Sequence, residues 1–335
     1  MNPLLSVVII GRNEGLRLKR CLESVNAMEQ PAGAVEVIYV DSASTDGSPE
    51  LAASYGARVI TVHPQRPTAA LGRNAGWRVA SGDFILFLDG DTILHPRFVA
   101  TSLPEFSASD LAIVWGHRRE IDPRGSLFNR ALDLDWIYPP GVTEFCGGDA
   151  LVRRSALQAI DGFDERLIAG EEPEMCRRLR AGGMRILHVD HPMTGHDLAM
   201  TAWSQYWKRA TRAGYAYAEV SERFHNTGLP FWEADSQRNR NRALTLITLA
   251  VAGPLLSLAL ASVLPLVIVL LALSLLVLRS AWKARWKSSN PVTALLYGLH
   301  SHLQQIPIYL GQLQYRRDKK AGRKRGLIEY KEVSS

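Results

Sequence analysis

Cysteine is scarce in this chain: three residues in 335, Cys21, Cys146 and Cys176, in an odd and unpatterned set. That excludes a disulfide framework, offers no zinc-ligand spacing and favours a reduced compartment. Glycine-rich phosphate loops are missing too. No Gly-x-Gly-x-x-Gly or Gly-x-x-x-x-Gly-Lys follows any strand-like run, so neither a dinucleotide fold nor a P-loop is supported. There is no internal repeat and no low-complexity linker. The apolar run Leu4 to Ile10 is too short for a signal peptide and is better used as a first strand. Charge is absent from one long stretch, the 35 residues Leu244 to Leu278. A single straight helix over it would run about 52 Å, well beyond a hydrocarbon core of about 30 Å. Two short spans of about 17 residues, split near Ala261 to Pro265, fit a membrane better.

What is present begins with Phe84-Ile85-Leu86-Phe87-Leu88-Asp89-Gly90-Asp91-Thr92, an apolar run closed by two carboxylates one glycine apart. Such a run fits a strand buried on both faces of a parallel sheet, and these sheets place ligands beyond their carboxyl edges. Side chains two apart on an extended chain point the same way. Asp89 and Asp91 can therefore face one hard cation, Mg2+ or Mn2+, that itself bridges substrate phosphates. The competing reading is an Asp-Gly turn with solvated acids. The pattern repeats upstream: Leu5 to Ile10 is broken by Gly11 and followed by Arg12-Asn13-Glu14 and helical spacing at Leu18, Leu22 and Val25. Val35 to Val40 ends at Asp41 and the turn-rich Ser42 to Gly47, then a helix over Ser48 to Tyr55, a strand over Arg58 to Val62 and a helix over Leu71 to Ala80 are expected. This alternation predicts a doubly wound, mostly parallel α/β sheet with polar strand ends along one edge.

Seven motifs occur in order over roughly residues 4 to 220. They are Val7-Val8-Ile9-Ile10-Gly11-Arg12-Asn13-Glu14, Val40-Asp41-Ser42-Ala43-Ser44-Thr45-Asp46-Gly47-Ser48, Gly72-Arg73-Asn74-Ala75-Gly76, Asp89-Gly90-Asp91, Gly147-Gly148-Asp149-Ala150-Leu151-Val152-Arg153-Arg154, Gly162-Phe163-Asp164-Glu165, and Gly170-Glu171-Glu172-Pro173-Glu174-Met175-Cys176-Arg177-Arg178-Leu179. As a series they resemble the family-two inverting glycosyltransferases of the GT-A fold, in their membrane-anchored bacterial form. The resemblance implies a nucleotide-sugar-binding GT-A domain over residues 1–230 and a C-terminal helical membrane region. It implies transfer of a sugar, expected from a UDP-sugar, to a lipid-linked or membrane-proximal glycan acceptor in polysaccharide or glycolipid synthesis. Nucleotide binding falls to Asn13, Glu14, Asp41, Ser44, Arg73 and Asp89. Metal binding, Mg2+ or Mn2+, falls to Asp89, Asp91 and His196, and acceptor binding to Gly148, Asp149, Arg153 and Arg154. Glu172 is the implied general base with Glu171 beside it. Here the chain departs from the family, which usually carries Asp at that place.

The residue chemistry agrees. Asp41 can accept from a uracil imide nitrogen, Glu14 from ribose hydroxyls, and a guanidinium fork such as Arg73 matches diphosphate oxygens. A carboxylate at a helix start is stabilised as the anion, as a general base requires. One base without a nucleophile implies single displacement with inversion. Imidazole at His196 suits Mn2+ better than Mg2+. A polyprenyl-phosphate sugar synthase is the alternative enzyme. A catalytically silent membrane scaffold of a glycan assembly system is the alternative of another class, and the intact Asp89, Asp91 and Glu172 argue against it.

The second half is read as a junction over 231–243, a transmembrane hairpin over 244–278, an interfacial or partly inserted helix over 291–314 and a basic tail over 315–335. Trp203 to Arg209 reads as an amphipathic segment at the membrane surface, without processive polymerisation. Arg238, Arg240 and Arg242 precede the hairpin, and Arg279, Lys283, Arg285 and Lys287 follow it. Both ends are therefore expected in the cytoplasm, with the chain in the inner (plasma) membrane. From Arg279 onward twelve Lys and Arg face three acids, a surplus of nine against six for the whole chain, so the preceding residues sum to −3. Basicity is thus a property of the tail, which suits an anionic lipid surface, and no nucleic-acid module accompanies it.

Overall fold

The computed structural model describes residues 4–63 and 65–323. They form two compact units, one of residues 4–121 with 136–198, the other of residues 122–135 with 199–323.

The first unit is built on β1 (Leu5–Gly11), β2 (Val35–Asp41), β3 (Arg58–Thr61) and β4 (Phe84–Asp89), joined by α1 (Leu16–Asn26), α2 (Ser48–Ser54) and α3 (Ala69–Val79). These four strands pair in parallel in the order β3-β2-β1-β4. Their apolar runs are buried because helices cover both faces; Val7, Val8, Ile9, Ile38, Val40, Ile85 and Leu86 have essentially no exposed surface. The register pairs Gly11 with Asp41 and Ile10 with Asp89, so both acids end their strands at one edge, on either side of β1. Chain order reverses between β1 and β4, the place where such sheets bind ligands.

Beyond β4 the sheet changes character. After β5 (Thr92–Leu94), α4 (Phe98–Ser102) and β6 (Leu111–Glu120) come β7 (Gly141–Val142), β8 (Ala150–Arg153), α6 (Arg154–Ile160), α7 (Glu171–Ala181) and β9 (Arg185–His196). β8 runs antiparallel between β4 and β6, and β9 pairs parallel with β6 but antiparallel with β5 and β7. The nine-stranded sheet is therefore mixed, not mostly parallel as expected.

The second unit contains α5 (Leu127–Leu132), α8 (Trp203–Phe224), α9 (Glu233–Ala259), α10 (Leu264–Ala284), α11 (Pro291–Leu303) and α12 (Gln305–Lys320). α9 and α10 are long and apolar enough to cross a membrane, and their apolar windows are almost wholly unburied. Leu258, Val263 and Leu271 stand among the exposed large side chains. The break falls at 260–263, close to the expected split, while 233–243 is helical rather than a plain junction. The segment expected as one helix over 291–314 is two helices broken at Gln304, since Pro307 has no N–H to give and belongs in a first turn. Its polar groups are partnered within the unit: Tyr206 Oη lies 2.9 Å from His300 Nδ1, His300 Nε2 3.2 Å from Asp135, and Ser280 Oγ 2.9 Å from His302. The tail begins inside α12, and residues 324–335 lie outside the described residues.

Candidate active site

At the carboxyl edge of β1, β2 and β4, loops are tied to one another before any ligand is considered. Asn13 and Ala43 both sit at positive φ, 54° and 58°, which lets two tight turns meet. Asn13 N–H donates to Ser44 Oγ at 2.9 Å and Thr45 N–H donates to the Asn13 side-chain Oδ1 at 2.8 Å. Asp41 is fully buried, accepting from Ser44 N–H at 2.8 Å and from Tyr39 O–H at 3.1 Å. Burial and the Asp41 charge push the Tyr39 phenol well up, so it remains a donor. Asp41 thus shapes its own loop with one lone pair on each oxygen. Glu14 lies across two glycines. A Cβ on Gly11 or Gly90 would come within 3.1 or 3.2 Å of Glu14 Cγ, which explains both glycines. Arg17 Nε donates to Glu14 at 3.0 Å.

The centre of the site is a buried charge cluster. Arg73, from α3, reaches Asp89 at 2.9 Å and both Glu171 and Glu172 at 3.0 Å. Burial works against the Arg73 charge, but Glu172, Asp89 and Glu171 outweigh it and hold the guanidinium ionised. Arg118, from β6, stands 3.5 Å from Asp89 and 3.7 Å from Asp149. Asp149 accepts from Asp89 N–H at 3.0 Å and from Thr194 O–H at 2.7 Å. Its carboxyl pKa is raised, by burial first and by Asp89, against the pull of Arg118. Four carboxylates therefore lie around two guanidinium groups. Glu172, at the first turn of α7, is pushed from 4.5 to about 7, chiefly by burial, then by Glu171, with Arg73 opposing. A Cβ on Gly148 would fall 2.6 Å from Arg73 Nη2, 3.0 Å from Asp89 and 3.2 Å from Glu172, so this glycine keeps the face of the cluster open.

Next to the cluster, Asp91 and His196 are both buried, with Oδ2 and Nε2 3.6 Å apart. Pairing of Thr92 with His196 across β5 and β9 brings them together. The Trp136 ring meets His196 edge-on at 4.8 Å, which orients the imidazole. Among the described residues no three His, Cys, Asp or Glu groups converge into a metal cage. The pair nonetheless fits Mg2+ or Mn2+: one carboxylate and one imidazole beside a cluster with excess negative charge, the remaining ligands left to phosphate oxygens and water.

Of the residues expected in the site, the structure gathers Asn13, Glu14, Asp41, Ser44, Arg73, Asp89, Asp91, Gly148, Asp149, Glu171, Glu172 and His196 along one edge of the sheet. Arg153 and Arg154 are not there. Arg153 pairs in register with Phe84, the opposite end of β4 from Asp89, about 16 Å away at the rise of a strand. Its guanidinium binds the carbonyls of Phe106, Ala108 and Leu111 and packs on Phe84 and Phe106, while Arg154 N–H bonds the Asp83 carbonyl. An antiparallel β8 carries this pair away from the site even as it delivers Gly148 and Asp149 to it. Asn74 is also structural, bonded through its side chain to Phe163, Glu165 and Trp77. Arg118, Trp136 and Thr194 were not anticipated. Their one signal was the apolar run Leu111 to Trp115 ending in polar residues, as the other strands do.

A sheet of this order with acids at its switch point and a carboxylate-bearing helix facing them defines a GT-A-type transferase fold. Residues 6–161 match the profile described as Glycosyl transferase family 2, and residues 84–284 that of Glycosyl transferase family group 2. The chain belongs to glycosyltransferase family 2. Glycosyltransferase AglE of Haloferax volcanii is 25% identical over 229 residues, covering 65% of this chain and 74% of that protein. The pre-mycofactocin glycosyltransferase of Mycobacterium tuberculosis is 27% identical over 205 residues, 57% of this chain and 42% of its own length. In fold, the mannosyltransferase PcManGT from Pyrobaculum calidifontis, solved with GDP-Man and Mn2+, superposes with TM-score 0.67 at 16% identity, covering 93% of this chain and 88% of that one. S. aureus TarS 1-349 superposes with TM-score 0.53 at 16% identity over 95% and 92%.

Proposed function

We propose that this chain transfers a sugar from a nucleoside diphosphate donor, a UDP-sugar, to a hydroxyl of a lipid-linked or membrane-proximal glycan acceptor, in one displacement with inversion. The observation that carries the reading is Glu172, a carboxylate tuned to about 7 and set over the opening that Gly148 maintains. A base at that value is half ionised at neutral pH, where proton transfer from an acceptor hydroxyl is most effective. Arg73, 3.0 Å away, holds it in place. With Glu172 as the base and the neighbouring Asp89 and Glu171 tied to Arg73, the reading is direct attack by the acceptor hydroxyl. Asp41, Asn13 and Ser44 form the loop for the base, and Glu14 lies where ribose hydroxyls would meet it. Mg2+ or Mn2+ held by Asp91 and His196 would supply Lewis-acid stabilisation of the departing diphosphate. PcManGT, of the same fold, was solved with a nucleotide sugar and Mn2+, which supports the cofactor assignment.

The membrane part of the reading rests on α9 and α10. Two spans with basic residues at both outer flanks put both ends in the cytoplasm, where nucleotide sugars are available. Test the reading with purified full-length protein and a panel of UDP-, GDP- and dTDP-sugars with Mn2+, following release of nucleoside diphosphate and the anomeric configuration of the product. Turnover of a UDP-sugar with inverted product is expected. Retention of configuration would remove the single-displacement mechanism, and no turnover with any donor would favour the silent scaffold.

A further inference from the structure

The site holds two arginines whose surroundings differ. Arg73 is committed: three carboxylates lie within 3.0 Å of it and its side chain is almost wholly buried. Its fork fixes Asp89, Glu171 and Glu172, which leaves it poorly placed for a ligand's phosphates. Arg118 is different. Its carboxylate neighbours stand at 3.5 and 3.7 Å, and it forms no hydrogen bond with any described residue; its Nε is buried and without a bonding partner. The guanidinium plane is supported by the Trp136 ring at 5.1 Å, the same ring that meets His196. In register, Arg118 lies beside Thr194 and Glu120 beside His196, so Arg118 stands two residues along the strand from the proposed metal pair and on the same face. A planar fork with five donors, stacked but unsaturated, next to a divalent-cation site is suited to phosphate oxygens.

We propose that Arg118, and not Arg73, is the residue that binds the donor's diphosphate, Arg73 being a positioning residue for Glu172 and Asp89. This rests on the nucleotide-sugar reading above. Measure calorimetric affinities of the full-length protein, wild type, Arg118→Lys and Arg118→Ala, for UDP and for uridine with Mn2+, together with unfolding midpoints and the acceptor KM. Arg118→Ala is expected to weaken UDP by 10- to 100-fold and to leave uridine within about twofold, from the worth of a charge-assisted phosphate contact. Arg118→Lys should fall between, keeping charge but losing the fork. Equal losses for UDP and uridine would mean that Arg118 only holds the fold, and unchanged UDP affinity with a raised acceptor KM would place the bound anion on the acceptor; either overturns the assignment. If the wild type binds neither UDP nor GDP, the nucleotide-sugar reading fails with it, whereas binding by wild type and Arg118→Ala alike overturns the Arg118 assignment alone.

Discussion

Because Glu172 is lifted from 4.5 to about 7, kcat/KM should depend on pH where ordinary carboxylates have long finished titrating. The ionised base is required, so below pH 7 the rate should rise about tenfold per pH unit and level off by about pH 8. Glu172→Gln should lose the limb and fall by a factor on the order of 10² to 10⁴. Stability moves the other way. With the folded pKa above the unfolded one, the folded protein holds more protons between 4.5 and 7, so the wild type loses stability as pH rises through that window. At 1.36 kcal/mol per pKa unit the full loss would be about 3 kcal/mol, and partial solvent access and sharing with Glu171 reduce it to about 2 kcal/mol. Glu172→Gln removes that charge while Arg73 keeps Asp89 and Glu171. It should therefore be the less active and, at pH 8, the more stable protein, with no difference at pH 4. The assay is initial rate at subsaturating donor from pH 5 to 9, paired with thermal unfolding at pH 4 and 8. A flat rate profile between pH 5 and 8, or a Gln variant less stable at pH 8, would refute the assignment of the base.

Asp91→Ala and His196→Ala should each abolish the Mn2+ dependence of UDP affinity in calorimetry, with Asp91→Ala leaving the unfolding midpoint within a few degrees. Equal metal-dependent affinity in wild type and variants would remove the metal pair. Asp41→Ala strips acceptors from Ser44 N–H and Tyr39 O–H and should cost about 1–3 kcal/mol of stability as well as nucleotide affinity, a combination separable by denaturant titration with and without UDP. Gly148→Ala puts a methyl 2.6 Å from Arg73; overpacking of about 1–3 kcal/mol and at least a tenfold drop in turnover are expected from rates and melting curves. Reporter fusions after Lys287 and Ser335 should both read cytoplasmic, and an external tail would add a third span.

Much of the first unit was legible because its signals are local. Continuous apolar runs ending in polar or acidic residues give β1, β2 and β4, and Gly11, one of the two glycines against Glu14, stands close before it in the sequence. The length of the uncharged run, set against the thickness of a bilayer, also located the break between α9 and α10. What could not be read was strand direction. Nothing in Ala150 to Arg153 says that the strand enters the sheet antiparallel, yet that direction decides that Asp149 joins the site and Arg153 leaves it. Arg118 and Trp136 were hidden for a similar reason: β6 adjoins β9 through pairing of residues some 76 positions apart, Arg118 with Thr194, and no spacing rule spans that distance.

The excess of buried acids links these observations. A cluster of Asp89, Asp149, Glu171 and Glu172 around the Arg73 and Arg118 guanidinium groups is costly when fully ionised, since charges removed from water need paired partners. The strain is visible in the carboxyl values of Asp149 and Glu172, both raised, by burial first and by the neighbouring acids after it. A divalent cation at Asp91 and His196 would ease it, lowering the energy of the same carboxylates in their charged form. Cation binding and deprotonation of Glu172 would then be linked: a cation held by Asp91 and His196 would draw Glu172 toward its ionised form, and an ionised Glu172 would favour the cation.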